Sequence, residues 1–213
     1  MLRKALATGI ILLGALHFQN ALAQEWSANL GYNSEYIFRG IPQKSSSAFG
    51  GVDFAAGGFS VGAWTADVGD GLEVDLYSAY GFTVGDFDLS VGGTWYTYTG
   101  DFDDEYLEAN VGVAWKWLSF DAAVGTYDNF GGPKLDYEFY SLTVSHNGFY
   151  GKFGTFENDF DGNYYEAGYG GTLELEERPL LDYAIAVIHS DSTLLGGESD
   201  TNLVFTLSKT FDF

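Results

Sequence analysis

The sequence predicts an all-β fold: a closed antiparallel transmembrane β-barrel of about 12 strands with up-and-down topology. Three observations carry this. Apolar and polar residues alternate with period two through most of the chain. Tight turns and longer polar connections follow one another at a near-regular interval. The chain stops on a strand, at the aromatic residue Phe213.

Composition narrows the field. The formal charge is −21, yet 18% of residues are aromatic, so the acidity is not that of a disordered chain. With 9 Lys and Arg against 30 Asp and Glu, nucleic acid is excluded as a partner. There is no cysteine, hence no disulfide and no thiolate metal site. Residues 1–23 read as a secretory signal peptide: Arg3 and Lys4, an apolar run over 5–16, then Ala21-Leu22-Ala23. That run is shorter than the roughly 20 residues of a spanning helix, so a retained anchor is the weaker reading. Residues 24–213 form the expected barrel domain, with no linker inside it.

The strands are read from their faces. "LEVDLYSAYGF" sets Leu72, Val74 and Leu76 against Glu73, Asp75 and Tyr77. "FDLSVGGTW" sets Phe87, Leu89, Val91 and Trp95 against Asp88, Ser90, Gly92 and Thr94, and "LEANVGVAW" sets Leu107, Val111 and Val113 against Glu108 and Asn110. "YYEAGYGGTLEL" separates Tyr165, Ala167 and Tyr169 from Glu166, Gly168 and Gly170. Tight turns are expected at Gly57-Gly58, Gly85-Asp86, Lys116-Trp117, Asn147-Gly148 and the 176–179 corner. Longer connections are expected at 39–46, 67–71, 100–105, 128–136, 157–163 and 190–200.

Short turns at one end and longer loops at the other suit an outer-membrane barrel with both termini on the periplasmic side. The competing fold is a secreted β-sandwich, whose turns would not sort by length. The last strand must pair with the first, because an open edge in lipid leaves backbone groups unsatisfied. Leu203, Phe205, Leu207 and Phe211 would then face lipid. Two aromatic girdles are expected: Trp26, Phe59, Phe87, Trp115, Trp117, Phe120, Phe149, Phe211 and Phe213 at the tight-turn end, and Tyr32, Tyr36, Tyr98, Tyr106, Tyr127, Tyr137 and Tyr164 at the other.

"YNSEYIFRGIPQ", residues 32–43, resembles the signature near the start of the TorF family of porins, and "LEVDLYSAYGF" and "WYTYTG" resemble its later blocks. Pro42 departs from the Ser of many relatives. The resemblance implies an outer-membrane barrel. Phe211 and Phe213 resemble the terminal signal by which barrel-insertion machinery recognises its clients.

Candidate chemistry is sparse. His146 sits beside a tight turn. His189 is a rim histidine whose neighbour Ser190 faces the other side, a poor arrangement for a hydrolase; no catalytic residue and no cofactor is expected. The runs Asp101, Asp103, Asp104, Glu105 and Glu157, Asp159, Asp161 carry oxygen ligands of the kind Ca²⁺ prefers but lack an EF-hand spacing, so they read as solvated loop tips. The interior is the candidate site. About eight strands leave a filled barrel and about sixteen an open channel, so a narrow passage is expected here. Its pore-lining candidates are Arg39, Asp53, Glu73, Asp75, Glu108, Asp121, Lys152 and Glu166, with Gly, Ser and Thr leaving room and no loop long enough to plug it. The function expected is passive diffusion of small cationic or neutral polar solutes across the outer membrane. A non-conducting structural or adhesive barrel is the alternative, and a lipid-modifying enzyme a more distant one.

Overall fold

Period-two alternation becomes twelve strands in the computed structural model, which describes residues 24–213; the expected signal peptide, residues 1–23, lies outside them. The strands are β1 (Glu25–Phe38), β2 (Ile41–Ala56), β3 (Phe59–Gly69), β4 (Gly71–Val84), β5 (Phe87–Tyr98) and β6 (Tyr106–Trp115), then β7 (Leu118–Tyr127), β8 (Leu135–His146), β9 (Phe149–Asn158), β10 (Gly162–Leu175), β11 (Arg178–Ser190) and β12 (Asp200–Asp212). Each pairs antiparallel with its chain neighbour, and β12 pairs with β1 from Ser27↔Asp212 to Asn33↔Thr206. The Phe213 N–H extends that seam to the Trp26 carbonyl at 2.9 Å. Closure leaves no strand edge without a partner, which is what a hydrocarbon surround demands. Among the described residues the only helical element is a 3-10 turn, Asn129–Gly131.

The barrel is inverted in polarity. Leu30, Leu107, Leu203 and Phe149 stand 62–65% exposed on the outer wall, while Glu73, Asp75 and Glu108 are 0–3% exposed inside. In water such a wall would forgo roughly 25 cal/mol for every Å² of apolar surface left uncovered, and covering it needs lipid.

All five tight turns form as two-residue connections, with Glu176-Glu177 at the fifth. Asn147 and Gly148 both have positive φ, 51° and 84°, the conformation that matches the twist of a hairpin. At the other end two expected loops are absent. The 39–46 connection shrinks to Arg39-Gly40, and 67–71 shrinks to Asp70.

The first of these differences reshapes the interior. β1 and β2 run for 14 and 16 residues, well beyond the roughly 9–11 of a tilted span. Their register shifts between Tyr36 and Ile37, and Ser46 takes a φ of 63°. The surplus hairpin therefore bends and turns into the barrel mouth instead of standing up as a loop. Its tip is buried there, with Arg39 8% exposed.

The outer aromatic girdle also differs from expectation. Tyr36, Tyr127, Tyr137 and Tyr164 are buried in the lumen, and Tyr98 packs on an internal cluster. Side-chain phase explains this: Tyr164 shares a face with Glu166, so it cannot reach lipid. Tyr32 is exposed toward that end as expected, and Trp95 and Tyr165 join it there. At the tight-turn end Trp26, Phe59, Phe87, Trp117, Phe120, Phe149, Phe211 and Phe213 are exposed as expected, while Trp115 is half-buried.

Candidate functional site

The site is the lumen at the level of the inward hairpin tip. Gly40 is required at that tip: its φ is 83°, and a side chain there would come within 2.6 Å of the Tyr164 Cβ. The Gly40 carbonyl accepts a 2.5 Å hydrogen bond from Ser190 Oγ on β11. Ile37 and Ile41 pack against the cluster of Tyr137, Phe139, Phe156, Tyr164 and Ile188. The tip thus touches walls well removed from its own strands.

Arg39 makes the farthest reach. Its Nη1 and Nη2 donate to Glu108 Oε2 and Oε1 at 2.9 and 2.8 Å, a bidentate pair. The guanidinium also lies 4.2 Å from the Phe139 ring centroid and 4.9 Å from that of Phe38. Glu108 is further held by Tyr96 and Tyr137, whose hydroxyls donate at 2.9 Å, and by Asn110 Nδ2 at 2.5 Å. Beside this pair the Tyr106 ring packs on Tyr96, Tyr127 and Tyr137, and a second buried cluster joins Tyr36, Phe49 and Trp64. A plug therefore exists, contrary to the expectation drawn from loop lengths. It is made by strand ends, not by a loop.

The expectation that inward glycines leave room is also corrected. A Cβ on Gly31 would lie 2.1 Å from the Phe49 ring, and one on Gly154 would lie 2.2 Å from the Tyr164 ring. Cross-strand aromatic rings already occupy that space.

The other pore-lining candidates all sit inside the barrel. Glu73 accepts from Tyr36 Oη at 2.6 Å, and Asp53 accepts from Tyr77 Oη at 2.5 Å. Glu166 accepts from the Tyr150 hydroxyl and stands cross-strand from Lys152, and Asp121 accepts from Ser141 at 3.4 Å. Asp75 is wholly buried, and neither of its oxygens has a partner among the described residues. Arg39 does turn inward, but Glu108 takes its charge, so no basic pair with Lys152 forms. Below the plug the lumen opens at the tight-turn end into a recess of about 400 Å³ bordered by Glu25, Asp53 and Asp212.

The remaining candidates stand apart from the lumen. His189 Nδ1 lies 2.8 Å from Thr201 Oγ1 on the outside, while the adjacent Ser190 hydroxyl points inward to Gly40. His146 is exposed beside Asn147. Asp103 accepts from the Tyr106 and Tyr127 hydroxyls at 2.8 and 2.7 Å, and Asp104 accepts from the Phe130 N–H at 2.6 Å, so these acids brace loops. Among the described residues, no group of three or more His, Asp or Glu converges as a metal site would.

Sequence reading missed the aromatic residues packed in the lumen, although their phase was visible. Tyr137, Phe139 and Ser141 alternate with the same period as the inward acids.

The chain is similar in fold to a protein solved in a study of in-meso crystallization of membrane proteins. The TM-score is 0.55, with 12% identity over 89% of this chain and 84% of that one. The outer-membrane protein OpdK of Pseudomonas aeruginosa and OprD of the same organism align at TM-scores of 0.43 and 0.41 with 11% and 12% identity. They cover 85% and 92% of this chain, which spans 61% and 68% of theirs. No curated protein matches the sequence. The family model that does match overlaps the 32–43 block and carries a description other than TorF. With residues 19–164 matched, the chain belongs to the Gcw_chp family, described as bacterial proteins of unknown function.

Proposed function

We propose that the protein is a porin-like channel of the bacterial outer membrane, passing small cationic or neutral polar solutes and closed in this conformation by the β1–β2 tip. Its partners are then outer-membrane lipids, the barrel-insertion machinery and the solutes themselves. The observation that carries the reading is the charge of the inner wall. Asp53, Glu73, Asp75, Glu108, Asp121 and Glu166 face inward against Arg39 and Lys152. A purely structural barrel gains nothing from so many buried carboxylates, each costly to desolvate. Carboxylates lining a pore favour cations, and low-dielectric walls focus their field.

A second reading, a non-conducting structural barrel, is favoured by the aromatic rings packed in the lumen. Planar-bilayer recording separates the two. The channel reading expects cation-selective steps in the wild type, or their appearance when Arg39→Ala unlatches the tip. Changing Glu73→Gln and Asp75→Asn together should lower the reversal potential across a KCl gradient. No current from either folded protein favours the structural barrel. Anion preference abolished by Arg39→Ala would show that the local base outweighs the acidic wall.

A further inference from the structure

The β1–β2 hairpin leaves the wall along one line. Its ladder with β12 ends at Asn33↔Thr206, and its ladder with β3 begins at Phe49↔Ala66. Asn33 itself pairs with Ser47, so both boundaries fall within two residues of a single rung. Beyond that rung residues 34–46 pair only with each other, from Glu35↔Ser45 to Phe38↔Ile41. Serine hydroxyls stand where the ladders stop. The Phe205 N–H donates to Ser34 Oγ at 2.8 Å, and Ser47 Oγ donates to the Asp67 carbonyl at 2.7 Å. Ser46, next to the rung, takes its φ of 63° in the left-handed region, where non-glycine residues are uncommon. Side chains alone hold the arm inside. Tyr36 donates to Glu73, Arg39 to Glu108 and Lys44 to Asp67, while Ser190 donates to the Gly40 carbonyl. Ile37 and Ile41 pack on the cluster of Phe139 and Tyr164, and Tyr36 and Phe38 belong with that of Phe49 and Trp64. The arm is a wedge between two buried clusters, and drawing it out breaks no rung of the closed ladder.

We propose that residues 34–46 are a hinged gate, turning as one piece about the Asn33–Ser47 rung, inward when closed and upright over the mouth when open. The arm keeps its own rungs and the 2.7 Å hydrogen bond from Ser45 Oγ to Glu35 as it turns. Movement therefore concentrates in a few residues at the element boundary, Ser34 and Ser46 among them, which is where hinges absorb backbone rotation. A permanent plug would instead carry the β12 and β3 ladders up to its tip. The gate rests on the channel reading for its purpose, but its motion can be measured without current.

The chain has no cysteine, so a single introduced thiol reports without background. The experiment times labelling of Ile37→Cys and Ile41→Cys, one on each strand of the arm, by a charged thiol reagent on the full barrel refolded in detergent. Both should label slowly. Adding Arg39→Ala should raise both rates by the same factor, about a hundredfold, because the closed arm then strands Glu108. Ser190→Ala strands no charge and should raise both together by less, which keeps the test open if Arg39→Ala fails to fold. A cysteine at Ser60, buried in the wall of β3, should keep its rate throughout. Rates unmoved by either variant would overturn the proposal. So would acceleration at Ile41→Cys with none at Ile37→Cys, which would mean that the tip frays and nothing turns at the rung. A rise at Ser60→Cys in step with the arm would overturn it too, by showing that the whole barrel loosens. Thiols that accelerate together in a barrel carrying no bilayer current would leave the hinge standing and remove the channel.

Discussion

The Arg39 guanidinium and the Glu108 carboxylate meet at 2.8 and 2.9 Å across the lumen, although 69 residues of chain separate them. One belongs to the tip of the first hairpin and the other to β6, so this contact ties the inward fold of the tip to a distant wall. Their side chains are 6% and 0% exposed, which makes the pair a buried one. Removing one partner of such a pair leaves an uncompensated charge and costs about 3–5 kcal/mol. Arg39→Ala should therefore lower the barrel's stability to denaturant by about that amount. Arg39→Met combined with Glu108→Gln should recover much of it, because no charge is then stranded. A single variant as stable as wild type would show that the tip is not latched by this pair.

Topology is testable by position. Cysteines placed in the 101–105 or 191–199 connections should react with an impermeant label on intact cells. Those at Gly85-Asp86 or Asn147-Gly148 should stay protected until the periplasm is opened. The expectation rests on long connections lying outside and two-residue turns lying inside. Reversed labelling would invert the barrel.

The closing seam gives a third prediction. Phe211 and Phe213 are exposed on the outer wall, and the Phe213 N–H bonds to Trp26. Changing both to Ser removes two lipid-facing rings, each worth roughly 1.5–3 kcal/mol when buried. Membrane insertion should fall, with the inserted fraction conducting as before. Normal heat-modifiable migration and surface labelling of that variant would refute the role.

Acid should loosen the outer 191–199 connection. Burial pushes the Asp191 carboxyl up, but the N–H groups of Leu194 and Asn163 and the Asn163 side-chain amide outweigh it and hold the group below the ordinary value. A depressed folded value means stabilisation that is complete above the unfolded value of about 3.9 and lost as pH falls through the folded one. The amide shifts of Leu194 and Asn163 should titrate together below the ordinary aspartate range, and Asp191→Asn should flatten both. A midpoint at or above that range would contradict the assignment.

Sequence alone determined the strands, their faces and the closed barrel, because alternation is a local signal with a fixed period. Leu72, Val74 and Leu76 had to lie opposite Glu73 and Asp75 whatever the rest of the chain did. The five tight turns were equally legible, since two-residue hairpins have their own residue chemistry. What only the tertiary structure decided is the interior of the mouth. Arg39-Gly40 reads as the start of a loop when taken locally. It becomes an inward tip because Glu108, Tyr164 and Ser190 arrive from β6, β10 and β11 to hold it. Contacts between residues 69 to 150 positions apart leave no periodic trace in the chain. The tyrosines assigned to the lipid girdle were misplaced for a different reason: counting aromatics near a loop end gives only their depth, while strand phase, which sets Tyr164 on the face of Glu166, decides the side of the wall.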